Sequence, residues 1–220
     1  MISSFHKRRR VDHLAHAAVD LRSFPSEMQR VVRSWYQWQA AALRSAGKDI
    51  GVARIPGAAP EYEFWLANPP RFNDGQLCLE IGGLKWIVTQ SGDAWLLTKD
   101  ERDLPSPVGE LRRFEDMEKY LLCLMGGVPY TGQLRAAAPG IRWYREGVDS
   151  RVRLEKADPA SEYSDRILYV DDEVVDRGRL GEIDAVRFSH PLVMSYEEVD
   201  SVFKSELPRE WFTLDISVIE

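Results

Sequence analysis

"DAWLLTKDERDLPSPVGELRRFEDMEKYLLCLMGG", residues 93–127, carries a strand, a charged turn and an amphipathic helix within 35 residues. "AWLLTK" reads as a strand stopped by the turn "DERD", and a further strand is expected at "ELRRF". In "EDMEKYLLCLMGG", Glu115, Asp116 and Glu118 crowd a first turn whose dipole favours acids. Met117, Tyr120, Leu121, Leu124 and Met125 recur at helical spacing, and Gly126–Gly127 supply a stop. The apolar residues are placed for packing and the charges for solvent. No nucleophile, metal cluster or phosphate loop interrupts them.

The strand pattern extends upstream. "QLCLEI" is closed by Gly82–Gly83 and "LKWIVTQ" by "SGD", so a meander of hairpins is expected, with Trp86 and Trp95 meeting across one of them. Further back, "SEMQRVVRSWYQWQAAALRSAG" predicts a helix. Ser26 and Gln29 match a capping box, Gly47 is the stop, and Val31, Val32, Trp35, Trp38 and Ala42 share one face. Residues 11–21 read as a shorter helix carrying His13 and His16. The Gly-, Pro- and Ala-rich stretch from Gly47 to Asp74 reads as a connection, with "YEFWL" a short strand or helical turn inside it.

Downstream, "GIRWYREG" and "SRVRLEKA" look like strands. "DRILYV" and "EVVDRG" flank an acidic turn at Asp171–Asp172, and "DAVRFS" is expected as an edge strand. Ser195 and Glu198 form a second capping-box pattern, opening a helix with Tyr196, Val199, Val202 and Phe203 on its face. "WFTLDISVI" alternates like a final strand. Hairpin-length turns favour antiparallel pairing, because parallel pairing needs longer crossovers. The expected fold is α+β: an antiparallel meander sheet packed by a few helices. An N-terminal helical segment, 1–54, docks on a body formed by 55–220.

Composition narrows the class of molecule. The chain has 220 residues, 44% of them hydrophobic and 29% charged, as in ordinary globular proteins. No apolar run reaches the eighteen or so residues of a membrane span. "MISSFHKRRRVDHLAH" lacks the apolar core of a secretory signal, and Cys78 and Cys123 sit among apolar neighbours. A cytoplasmic protein with reduced thiols is expected. Net charge is −6, but residues 1–54 hold ten Lys/Arg against four Asp/Glu, so the body is strongly acidic. Such a body repels phosphate backbones and favours basic partners. The arm "HKRRR" leaves a nucleic-acid-binding reading open beside that of a solvated tail.

Phosphate-loop, dinucleotide, zinc-protease, CxxC and GxSxG patterns are all missing from the sequence, and no cofactor is expected. His190, with Ser189 beside it, is the candidate general base. In a strand these neighbours would face opposite ways and could not act as a pair. "VDDEVVD" is rich in carboxylates, but Val174 and Val175 interrupt the alternation a calcium loop needs. A small hydrolase using Asp/Glu carboxylates and His190 stays open as an alternative. Trp143 and Tyr144, between Arg142 and Arg145, have the chemistry of interface anchors and equally that of core packing.

Residues 77–205 resemble the small bacterial immunity proteins of polymorphic toxin systems, notably immunity protein 61 and the antitoxin of the tuberculosis necrotizing toxin. The likeness lies in a strand with a central aromatic (Trp95), the "ER" turn Glu101–Arg102, Arg113–Phe114 leading into an acidic helix start, and the pair Tyr120–Leu121. "DRILYVDDEVVDRG" and "FSHPLVMSYEEV" continue it, whereas the N-terminal helix is not part of it. The resemblance implies a non-enzyme that binds a cognate secreted toxin domain, an NAD glycohydrolase in the necrotizing-toxin relatives, and occludes its active site. Candidate contacts are the hairpin-tip acids Asp171, Asp172 and Glu173 with the pair Trp143–Tyr144, since charge speeds encounter and aromatics hold the complex.

Overall fold

The computed structural model describes residues 15–48, 68–161, 164–171 and 173–218. In chain order these form strand β1 (Ala15–Val19), helix α1 (Gln29–Ser45), and strands β2 (Arg71–Asn73), β3 (Gln76–Ile81), β4 (Leu84–Ser91), β5 (Ala94–Glu101) and β6 (Leu104–Leu111). Helices α2 (Phe114–Gly127) and α3 (Pro139–Glu146) follow, then strands β7 (Val152–Lys156), β8 (Arg166–Val170) and β9 (Gly178–Leu180). Helices α4 (Glu182–Leu192) and α5 (Tyr196–Lys204) and strand β10 (Leu214–Val218) complete the order. No helix among these residues is long and apolar enough to cross a membrane.

The fold is α+β, as the hairpin-length turns require. Eight strands pair antiparallel in the order β2-β3-β4-β5-β6-β9-β8-β7. Alternation buries Leu77, Leu79 and Ile81 on β3 and Trp86 and Val88 on β4. These side chains join the buried faces of the helices in one apolar core. Helix α2 is its hub, packing against α1, α4 and α5. The N-terminal helix docks through its tryptophans. The Trp35 indole donates to the Glu80 carbonyl at 2.6 Å, and that of Trp38 donates to Asp200 at 3.1 Å. Both rings are buried, as their spacing with Val31 and Val32 predicts.

The sheet is joined in its middle by a short seam. Only Gly109, Glu110 and Leu111 of β6 pair with Leu180, Arg179 and Gly178 of β9. At Gly178 φ is +128° and a Cβ would lie 2.2 Å from the Glu110 carbonyl oxygen, so glycine is required both for its backbone angle and for the close approach.

Several local expectations are overturned. "GIRWYREG" is not a strand: Pro139 opens α3 and Gly147, at φ +84°, closes it, signals that outweigh the β-preference of Trp and Tyr. "DAVRFS" lies in α4. Ala185, Phe188, Ser189 and Leu192 are buried at three- and four-residue steps, and Glu182 and Asp184 occupy the first turn. The segment read as a short helix around His16 contains β1, which pairs in parallel with β10 in a separate two-stranded sheet. His13 and "YEFWL" lie outside the described residues. The capping box at Ser26 does not form. Helix α1 begins at Gln29, whose amide donates to the Leu21 and Phe24 carbonyls. The box at Ser195 and Glu198 does form. Trp86 stands opposite Lys99 and Trp95 opposite Gln90, so the two indoles do not meet. Trp95 packs edge-on against Phe114 with centroids 4.7 Å apart.

Candidate partner-binding surface

The acidic stretch is longer than a hairpin tip. β8 ends at Val170 and β9 begins at Gly178, so the chain between them forms a loop whose turn starts at Asp171 with φ +48°. Aspartate tolerates that conformation better than most residues. The loop is pinned at both ends: the Asp171 amide donates to Arg151 O at 2.6 Å, and that of Arg177 to Leu168 O at 2.7 Å.

Two of its acids, Glu173 and Asp176, are paired internally. Glu173 accepts from Arg177 at 2.8 Å and from Arg113 at 3.5 Å, and Asp176 accepts from Arg112 at 3.1 Å. Arg177 reaches inward to the buried Asp116 at 2.9 Å, which also faces the buried Lys119 at 3.0 Å. Lys119 donates in turn to the Leu192 and Met194 carbonyls. Paired groups of this kind hold a loop in shape but present little net field. Asp172 lies outside the described residues. Val174, 93% exposed, and Val175, 68% exposed, are offered to solvent, as is Asp171. Two adjacent valines in water on an anchored loop form the apolar spot that contacts between proteins use.

The other candidate pair is divided by helical geometry. Trp143 is 3% exposed. Its ring stacks on His190 at 6.0 Å and meets the edge of Phe203 at 5.5 Å. A partner would reach almost none of it. Tyr144, next on the helix, is 47% exposed beneath the Arg187 guanidinium, 5.5 Å from its centroid. It is the member of the pair available to a partner.

His190 and Ser189 are tied into the same corner. His190 Nε2 lies 2.8 Å from the Gly147 carbonyl oxygen, and Nδ1 lies 3.7 Å from Asp149 and 4.0 Å from Glu146. With a carbonyl on Nε2, that nitrogen carries the proton and Nδ1 faces the carboxylates. The buried Ser189 hydroxyl donates to Val186 O at 2.7 Å and accepts the Asp149 amide at 2.9 Å. This geometry clamps the end of α3 to α4. It places no nucleophile against the imidazole. The Arg151 guanidinium bonded to Asp149 holds that carboxyl below the usual carboxylate range. Among the described residues, no three His, Cys, Asp or Glu side chains gather as a metal site.

Val174 and Val175 had a signal in the sequence. Apolar residues inside an acidic stretch argue against a metal loop, and they equally mark a place where an exposed contact can sit. A second exposed apolar side chain, Leu104, follows the β5–β6 turn, where Arg102 and Asp103 both take positive φ.

No family model and no curated protein matches this chain. Among solved structures the fold is similar to Rv3902c from M. tuberculosis. The TM-score is 0.51 at 17% identity, covering 74% of this chain and 98% of that one.

Proposed function

We propose that this chain is an immunity protein, which binds a cognate secreted toxin domain and covers its active site, acting by occlusion and not by catalysis. The observation that carries a protein-binding role is the anchored β8–β9 loop. It holds Val174 and Val175 in solvent while Arg177 and Arg112 pair with Glu173 and Asp176. An apolar point on a preorganised loop loses little entropy on docking, and its burial holds a complex together. The immunity class is supported by the resemblance of residues 77–205. The neighbour of similar fold also comes from the organism whose toxin antidote that resemblance names. The target inferred from the same resemblance is an NAD glycohydrolase.

Within this reading Val174 and Val175 make the anchoring contact, with Tyr144 a candidate for a separate one. Asp171, exposed at the start of the loop, supplies charge that steers a basic toxin surface. Glu173 serves mainly to hold Arg177. The experiment is co-expression with the toxin-like product of the adjacent gene, a pull-down, then titration of the purified complex. Replacing both valines by Asp should cost about 2 kcal/mol or more of binding while leaving the melting temperature unchanged, as expected of side chains lying in water. Asp171→Asn should act mainly on the association rate and its salt dependence. Full affinity in the valine variant would remove the loop from the interface. Failure of the wild type to bind any neighbouring gene product would remove the immunity reading.

A further inference from the structure

A pocket of about 310 Å³ opens between α2, α3, α4, α5 and the segment that precedes α3, away from the residues assigned to partner binding except where Trp143 forms part of its wall. That volume is within the range of small-molecule sites. Aromatic side chains dominate the wall: Tyr120, Tyr130, Trp143 and Phe203. The Tyr130 hydroxyl is already engaged, donating to the Phe203 carbonyl at 2.7 Å, and Asp184 lies near the Tyr120 phenol. Burial pushes both phenols above their ordinary range, Tyr130 to about 12, so neither supplies negative charge near neutral pH.

The spare hydrogen-bonding capacity in this pocket is cationic. Arg187 lines it, and its Nε is buried with no acceptor among the described residues. Its carboxylate neighbour Asp184 stands 3.9 Å away, beyond hydrogen-bond distance. Arg135, also in the lining, has no carboxylate partner among the described residues. Two arginines and one carboxylate therefore line a largely aromatic pocket. A buried N–H without an acceptor is costly, and a ligand anion is the group that satisfies it with most gain.

We infer that this pocket binds a small amphipathic anion, with an aromatic or branched apolar body against Tyr120, Trp143 and Phe203 and a carboxylate or similar group on Arg187 and Arg135. The pocket's own lining supports this binding, which does not rest on the immunity reading.

The structure also provides a way to close it. Gly127 lines the pocket on a helical backbone, and a Cβ added there would meet nothing within 4 Å, so Gly127→Leu extends a side chain into the space without strain. The test is calorimetric titration of the full chain with 3-phenylpropanoate, its neutral amide and acetate. Amide NMR shifts identify where binding occurs. Saturable binding of the carboxylate is expected at millimolar affinity or better, as a ligand of this size permits. The amide should bind about tenfold more weakly and acetate not measurably. Gly127→Leu should abolish binding without lowering the melting temperature, and Arg187→Gln should bring the carboxylate down to the level of the amide. Equal binding of carboxylate and amide would overturn the proposal. So would undiminished binding by the Gly127→Leu variant, or NMR shifts confined to other parts of the molecule.

Discussion

Gly126 and Gly127 are adjacent at the end of α2, and they should respond to alanine with opposite sign. A Cβ on Gly126 would lie 2.6 and 2.7 Å from Cγ and Cδ1 of Phe203 and 3.1 Å from its Cβ. Carbon atoms prefer about 3.5–4.0 Å, so the ring or the helix must give by nearly an ångström. The ring has little freedom to retreat. Phe203 is buried between the edges of Trp38, Tyr130 and Trp143, and its carbonyl is held by the Tyr130 hydroxyl. Overpacking of this kind costs about 1–3 kcal/mol, against which the gain in helix propensity returns about 0.5–1 kcal/mol. Gly126→Ala should therefore lose about 0.5–2 kcal/mol. Gly127→Ala meets nothing and should gain about 0.5 kcal/mol through a less flexible unfolded chain. Urea denaturation followed by tryptophan fluorescence would read both from the midpoints, provided the slopes agree. Finding Gly126→Ala as stable as Gly127→Ala would refute the claim that glycine is needed there for the close approach of α2 and α5.

Three further outcomes are expected. Trp38→Ala removes a buried indole packed on Phe203 and Phe212 and should cost about 3–5 kcal/mol in chemical denaturation; a loss under 1 kcal/mol would mean α1 is not seated as described. Asp116→Ala strips the half-buried Arg177 and the buried Lys119 of their shared carboxylate and should cost about 3 kcal/mol or more, whereas an unchanged midpoint would show the network to be energetically idle. The folded pKa of Asp149 lies below its unfolded one because Arg151 bonds it. Its contribution is therefore complete above about pH 4 and is lost as pH falls through the folded value. Asp149→Asn should then be less stable than wild type at pH 7 and converge with it in acid; a gap that is the same in acid as at neutrality would contradict the assignment.

The elements most visible in the sequence are those whose information is local. β3, β4 and β5 alternate between tight turns, and α2 carries acids in its first turn and glycines at its end. The Ser195–Glu198 box opens α5. Each of these is decided by residues a few positions apart, so chain order alone carries the signal. Expectation and structure part where β-prone side chains sit in helices. Trp143 and Tyr144 in α3 and Phe188 in α4 suggest strands by residue type, while Pro139, Gly147 and the acids of α4 hold the positional signal.

The candidate surface divides in the same way. An acidic, turn-forming stretch after β8 is readable in sequence because Asp favours such turns. Which of its side chains face water is not readable there. Arg112, Arg113 and Arg177 compensate the acids only once the sheet and α2 bring them together, leaving Val174 and Val175 outermost. The pocket is likewise a product of packing, since Tyr120, Arg135, Trp143, Arg187 and Phe203 come from separate parts of the chain. Sequence alone determined the α+β class, the meander and the apolar face of the N-terminal helix, because periodicity and turn chemistry are local. The tertiary structure decided pairing partners, exposure and the pocket, because those depend on which distant residues share one volume of space.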